Sequence, residues 1–277
     1  MTTLQDELAA APLGHATDYP DTYDAALLFA VPRALQREEI GIGDELPFAG
    51  ADVWNAYELT WLDPRGKPQV AIASFVVPAS SPAIVESKSV KLYLGSFAQS
   101  RYADAGAVAD AIGRDIGGAV DAPVRVQLIA PADFARQSLA PLAGTSIDAA
   151  DTDCATWKVD PRLLAAGGEA VAETLTSDRF RSVCPVTGQP DYASVAVAYR
   201  GPRIDRAALL RYLVSYRQHA GFHEHCVERI FVDVKSVCRC EALTVHARFT
   251  RRGGVDINPF RTDAGDPVPA NVRTPRQ

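Results

Sequence analysis

The chain has 277 residues, 47% hydrophobic and 22% charged, an ordinary globular composition that excludes a disordered protein. Its 28 basic and 34 acidic residues leave a net charge of −6, which excludes a general phosphate-backbone binder, because neutralising many phosphates needs a basic surface. No apolar run reaches the roughly 18 residues of a membrane-crossing helix, and residues 1–11 lack the basic start of a secretory signal, so the expectation is a cytoplasmic chain without membrane contact.

Residues 1–50 read as a mixed N-terminal extension with scattered Pro and Gly. Val53, Asn55, Tyr57, Leu59 and Trp61 then alternate with their neighbours, which predicts a strand. Asp63-Pro64-Arg65-Gly66 is a turn, and Val70, Ile72, Ser74 and Val76 complete a hairpin. From Ser87 the spacing turns helical through Val90, Tyr93, Leu94 and Phe97. A second helix near Ala105 carries Val108, Ile112 and Ile116 four apart, and Val124, Val126 and Leu128 return to a strand. This makes 51–130 a first unit. Residues 131–152, rich in Ala, Pro and Asp, read as a linker.

The second unit, 153–277, repeats the order. Trp157 and Val159 predict a short strand, and Tyr192 to Tyr199 an extended run. Asp205 can cap a helix carrying Leu209, Tyr212, Leu213 and Tyr216. A helix from Glu224 to Lys235 and a strand through Leu243, Val245, Ala247 and Phe249 follow. Arg251-Arg252-Gly253-Gly254 is a turn before an extended Val255–Ile257. Hairpins joined through helix pairs imply an α+β fold with antiparallel sheets. No GxGxxG opens a helix after a strand, which disfavours a Rossmann domain.

Five cysteines, an odd number without a signal, imply a reduced compartment. No CxxC pair is present to suggest a zinc ribbon, and the nearest cluster is His223-Glu224-His225-Cys226 with Cys238-Arg239-Cys240 downstream. On a helix, residues two apart point about 200° apart, so His223 and His225 cannot share a metal. No metal is expected, and Cys226 and Cys238 read as core fillers.

Three segments carry chemistry. In Cys184-Pro185-Val186-Thr187-Gly188-Gln189-Pro190-Asp191, two prolines and a glycine make a rigid loop that can hold a thiol and a carboxylate at a fixed separation. A thiolate is the competent nucleophile and a nearby base generates it; the plainer reading is a buried cysteine beside a turn. In Val85-Glu86-Ser87-Lys88-Ser89-Val90-Lys91, a helix start exposes backbone N–H groups, and Lys88 and Lys91 share a face; the plainer reading is a solvated basic face. In Gly221-Phe222-His223-Glu224, the acidic residue at a helix start can be ordinary capping electrostatics.

Together, Cys184 to Asp191, Glu86-Ser-Lys-Ser-Val-Lys-Leu-Tyr93 and Phe222-His-Glu224 resemble the NADPH-dependent 7-cyano-7-deazaguanine reductases, the nitrile reductases of queuosine biosynthesis. The resemblance runs from about residue 20 to the end of the chain, with no matching motif in 98–175. It is to the long, bimodular form. It implies two tandem tunnelling-fold units and reduction of the nitrile to an aminomethyl group by two NADPH. It implies Cys184 as the nucleophile forming a thioimide, Asp191 as general acid–base and His223 in later proton delivery. It places Val85, Glu86, Ser87, Phe222, His223 and Glu224 at the substrate, with both glutamates accepting ring N–H donors and Phe222 covering the base. It places Ser87, Lys88, Arg252 and Gly253 at NADPH. The expected partners are the small deazapurine and a second copy of the chain in a homodimer, without direct nucleic-acid contact. Two other classes compete: a zinc cyclohydrolase relative using His and Cys ligands, and a binding module that holds a purine-like ligand without turnover.

Overall fold

The computed structural model describes residues 19–277. The chain forms two units. The first takes the residues through Glu39, Ala51–Ser138 and Arg251–Ile257; the second takes Ile40–Gly50, Leu139–Thr250 and Asn258–Gln277. This differs from the contiguous division expected at 51–130, 131–152 and 153–277, and the reasons are local. Phe48 packs edge-on to Phe231 with ring centroids 5.3 Å apart, and Arg261 lies over Phe48, which fixes 40–50 in the second unit. Gly50 there approaches Phe260 so closely that a Cβ would lie 2.0 Å from its carbonyl oxygen. Tyr57 N donates to Gly254 O at 2.9 Å, Asn55 donates to Asp256 at 2.8 Å, and Val255 and Ile257 join the first unit's core. The supposed linker is also structured: Ile147 is buried, and its N–H donates to Thr176 O at 2.9 Å.

In the first unit, β1 (Ala30–Pro32) pairs antiparallel with β4 (Ala83–Val85), and α1 spans Ala34–Glu39. β2 (Ala49–Leu62) and β3 (Pro68–Pro78) form the expected hairpin, with β5 (Arg125–Ile129) antiparallel to β3. Asp63 closes the hairpin by accepting Arg65 N and Lys67 N, both at 2.9 Å. α2 (Ser87–Gly95) and α3 (Ala105–Val120) match the helical periodicity. Asp104 caps α3 by accepting Ala107 N at 2.9 Å, and Val108, Ala111, Ile112, Ile116 and Val120 form its buried stripe. That stripe packs on Trp54, Phe75 and Phe97, and truncating one such residue, as in Ile112→Ala, costs about 2–5 kcal/mol.

In the second unit, β6 (Thr145–Ser146) runs parallel to β7 (Ala166–Val183). β7 pairs antiparallel with β8 (Pro190–Ile204), β8 with β9 (Ala242–Phe249), and β9 with Phe260–Thr262 of β10 (Val255–Thr262). α4 (Arg206–Ser215) is capped by Asp205, which accepts Ala208 N at 2.7 Å, and α5 spans His223–Cys238. The strand expected at Trp157 and Val159 is absent; that stretch is irregular and leads to a short 3-10 turn at Pro161–Leu163. The 18-residue β7 was not legible, because register shifts at Gly167/Ala170 and Ser177/Phe180 break its alternation. The architecture is α+β with antiparallel sheets, and no helix among the described residues is long and apolar enough to cross a membrane.

Candidate active site

The turn between β7 and β8 carries the thiol. Cys184 N donates to Gln189 O at 2.8 Å, and Gly188 N donates back to Cys184 O at 2.9 Å. Gly188 takes φ +68, which a side chain would strain. Cys184 is buried, and across the strand pair Val183 faces Pro190 and Ser182 faces Asp191. The thiol and the carboxylate thus sit at the two ends of one pinned turn.

α5 begins against that turn. Val183 N donates to His219 O at 2.9 Å and Gly221 N donates to Val183 O at 3.1 Å, fastening the segment before the helix to the end of β7. Phe222 is the N-cap and is partly exposed, and its side chain makes no capping bond. His223 Nε2 lies 3.3 Å from Asp191 Oδ1. The His223 ring stacks on Phe249 with centroids 3.8 Å apart and planes 5° from parallel, which holds the imidazole in one orientation. Glu224 lies in the first turn of α5 and is buried. Asp191 and His223 are therefore brought into contact, with Cys184 in the same loop and Glu224 next along the helix.

The remaining buried thiols are chemically quiet. Burial pushes Cys226 and Cys238 up to about 12 and Cys240 up to about 11, so all three stay protonated near neutral pH. Cys226 and Cys238 fill the core as expected. Among the described residues, no three His, Cys, Asp or Glu side chains are grouped as metal ligands.

In the first unit, Glu86 follows β4 and caps α2. Its carboxylate accepts Lys88 N at 2.7 Å and Ser89 N at 2.8 Å, and the residue is fully buried beside Val85. Ser89 Oγ donates to Glu86 O at 2.6 Å. Glu86 is thus the side-chain N-cap of α2. Each carboxylate oxygen still has a second lone pair for another donor.

Beside the start of α2 lies a cavity of about 340 Å³ lined by Lys88, Lys91, Glu58, Gly253 and Gly254. Both glycines have positive φ, +56 and +73, and a Cβ on Gly254 would lie 2.5 Å from the Glu58 carboxyl carbon. Two lysines beside a glycine pair suit a phosphate, and Glu58 suits a sugar hydroxyl, so the donor set fits a phosphorylated dinucleotide such as NADPH. Of the four residues expected at the cofactor, Lys88 and Gly253 line this cavity. Arg252 lies in the adjacent turn with its N–H donating to Val255 O at 2.9 Å, and Ser87 opens α2 with its hydroxyl 3.5 Å from Glu86 Oε1. Sequence reasoning missed Glu58 and Gly254. Lys91 was visible only as the helical neighbour of Lys88.

The family described as "Nitrile reductase, 7-cyano-7-deazaguanine-reductase N-term" matches residues 19–128, and "QueF-like protein" matches residues 190–267. A protein of Burkholderia cenocepacia (strain HI2424), named NADPH-dependent 7-cyano-7-deazaguanine reductase, is 58% identical over 271 residues, covering 96% of this chain and 98% of its own. Proteins of the same name from Burkholderia pseudomallei (strain 1710b) and Burkholderia multivorans (strain ATCC 17616 / 249) are 58% and 57% identical over 269 residues, with the same coverage. Among solved structures, the archaeosine synthase QueF-Like in the apo form is similar with a TM-score of 0.31 and 20% identity, over 36% of this chain and 99% of that one.

Proposed function

This chain belongs to the NADPH-dependent 7-cyano-7-deazaguanine reductases and reduces that nitrile to an aminomethyl group, and from that premise we propose that Cys184, Asp191 and His223 carry the reaction through a covalent thioimide. A nitrile carbon resists direct hydride attack. Addition of the Cys184 sulfur to that carbon forms a C–S bond and leaves a C=N group, which splits one hard step into easier ones. The thiol proton passes to Asp191 and from there to the substrate nitrogen. His223, 3.3 Å from Asp191, holds that carboxylate and delivers a later proton. Lys88, Lys91 and the Gly253-Gly254 turn would hold NADPH, which would supply the hydrides when bound.

Glu86 and Glu224 accept N–H donors of the deazapurine, with Val85 and Ser87 lining its place and Phe222 covering one face. Ser87 and Arg252 complete the cofactor contacts. Both units are read as tunnelling-fold modules, and the working enzyme as a homodimer in the cytoplasm that meets the free base and no nucleic acid.

The observation that carries the mechanism is the hydrogen-bonded turn with Cys184 and Asp191 at its ends and His223 clamped against Asp191. Intact mass of the protein mixed with the nitrile, without NADPH, tests it. The mass should rise by one nitrile, and Cys184→Ala should show no rise. Unmodified protein at saturating nitrile overturns the thioimide. It would favour simple ligand binding or direct reduction.

A further inference from the structure

Reducing a nitrile with two hydrides also takes up two protons, yet Asp191 and His223 are only 3% and 8% exposed. Behind them lies a cluster of polar groups that the mechanism does not use. Both ring nitrogens of His225 and His219 Nε2 are buried with no hydrogen-bond partner among the described residues, and buried Ser182 Oγ meets only the weakly bonding Cys226 thiol. Buried polar atoms in folded proteins are almost always paired, to protein or to ordered water.

These atoms share one place. The His219 and His225 rings are 6.0 Å apart. A Cβ at Gly221 would lie 3.0 Å from His219 Nε2 and 3.4 Å from Cys226 Sγ. Gly221 does not have a positive φ, so the backbone does not demand glycine there; its missing Cβ lets the His219 ring and the Cys226 thiol approach the backbone. The Ser182 hydroxyl interacts with the Cys226 thiol. Ser182 is also the direct cross-strand partner of Asp191, a pairing that sets two side chains on one face with Cβ atoms about 5 Å apart. His219 is only half-buried, while its Nε2 is buried beside Gly221.

We propose that an ordered water among His219, His225 and Ser182, beside Gly221, passes protons from solvent, through His219 and Ser182, to Asp191. The proposal rests on Asp191 acting as the acid–base of the thioimide mechanism. The proton count balances. His219 takes a proton from solvent on one ring nitrogen and releases one from the other to the water. The water passes one to Ser182 Oγ, whose own proton moves to the Asp191 carboxylate, and Asp191 gives it to the substrate nitrogen. Only Asp191 changes charge between turnovers. His225 anchors the water. Burial pushes both histidines down to about 4, so they stay neutral and relay protons without storing them.

Ser182→Ala and His219→Phe test the relay. Ser182 Oγ meets the Cys226 thiol, a weak hydrogen-bonding partner, so its removal should change the unfolding midpoint little. Adduct formation uses a proton already on the thiol and should stay within about twofold of wild type, while NADPH oxidation falls about tenfold or more, at the low end for loss of acid–base assistance. The solvent deuterium isotope effect on turnover should rise, and added imidazole should restore part of the turnover of His219→Ala. A high-resolution crystal structure should show a water bound by His219 Nε2, His225 and Ser182 Oγ. Wild-type turnover in both variants overturns the relay, and so does a parallel fall in adduct formation, which would make these residues supports of the nucleophile. A wild-type enzyme that forms no adduct strikes the thioimide mechanism instead, whatever the variants do.

Discussion

Glu86→Gln separates two roles of one carboxylate. The two oxygens accept Lys88 N at 2.7 Å and Ser89 N at 2.8 Å in a fully buried setting. A carboxamide offers one accepting oxygen and one donating nitrogen, so one helix amide would face another N–H. Losing a charge-assisted bond costs about 1.5–3 kcal/mol, and a buried unpaired N–H costs a further 1–3 or so. Rearrangement of the first turn of α2 recovers part of this, which leaves about 3 kcal/mol. At about 2–4 °C per kcal/mol for a chain of this size, the thermal midpoint should fall by roughly 6–12 °C. Scanning calorimetry reads that fall, and calorimetric titration with the nitrile below the transition reads recognition. If the remaining lone pairs of Glu86 accept ring N–H groups, affinity should fall about tenfold or more. An unchanged midpoint refutes the capping energetics. A lowered midpoint with unchanged affinity refutes the role in recognition and leaves Glu86 a cap alone.

Asp191→Asn should slow both adduct formation and reduction while the fold survives; adduct formation at the wild-type rate would remove Asp191 from thiol activation. Cys184→Ser should be inactive, because a serine hydroxyl is not ionised near neutral pH without a strong base, and measurable turnover would contradict this. His225 is neutral in the fold with its ring pushed down to about 4, whereas an unfolded histidine takes up a proton near 6.5. Its contribution is complete above pH 6.5 and is lost as pH falls toward 4, at up to about 1.4 kcal/mol per pH unit. Urea midpoints at pH 7 and pH 5 should converge in His225→Gln, and an identical pH slope in both proteins would exclude His225 as the cause. Gly254→Ala forces an L residue to φ +73 and a Cβ to 2.5 Å from the Glu58 carboxyl carbon, so KM for NADPH should rise with kcat less affected; an unchanged KM would move the cofactor elsewhere.

What was legible in the sequence was what is periodic or local. The β2–β3 hairpin, α2, α3, α4 and α5 follow from alternation, helical spacing and the Asp205 cap. β7 escaped because two register shifts move its side chains off a strict period of two, and its glycines mimic a loop. The site was legible through its motifs. Spacing alone could not show that Phe249 lies under the His223 ring, because the two are joined by packing between a helix and a strand end. Nor could it show that Gln277, whose amide donates to Phe249 O at 2.9 Å and Asn258 Oδ1 at 2.7 Å, secures that strand end. The glycines at 253 and 254 read as turn residues, and the fold gives both a positive φ, whereas Gly221 has none and instead admits the His219 ring and the Cys226 thiol close to the backbone.

The discontinuous first unit also bears on how the protein is made. Arg251–Ile257 supplies Val255 and Ile257 to that unit's core and the Gly254 carbonyl to Tyr57. At about 5–20 residues per second, a ribosome needs on the order of ten seconds to travel from Ser138 to Arg251. Throughout that interval the emerging first unit waits with part of its apolar surface uncovered and the Tyr57 amide without its native acceptor. Exposed strand edges of this kind are what chaperones bind and what aggregation begins from. A gene split within 131–152 would make that condition permanent, and the fragment ending there should be insoluble unless the fragment carrying Arg251–Ile257 is made beside it.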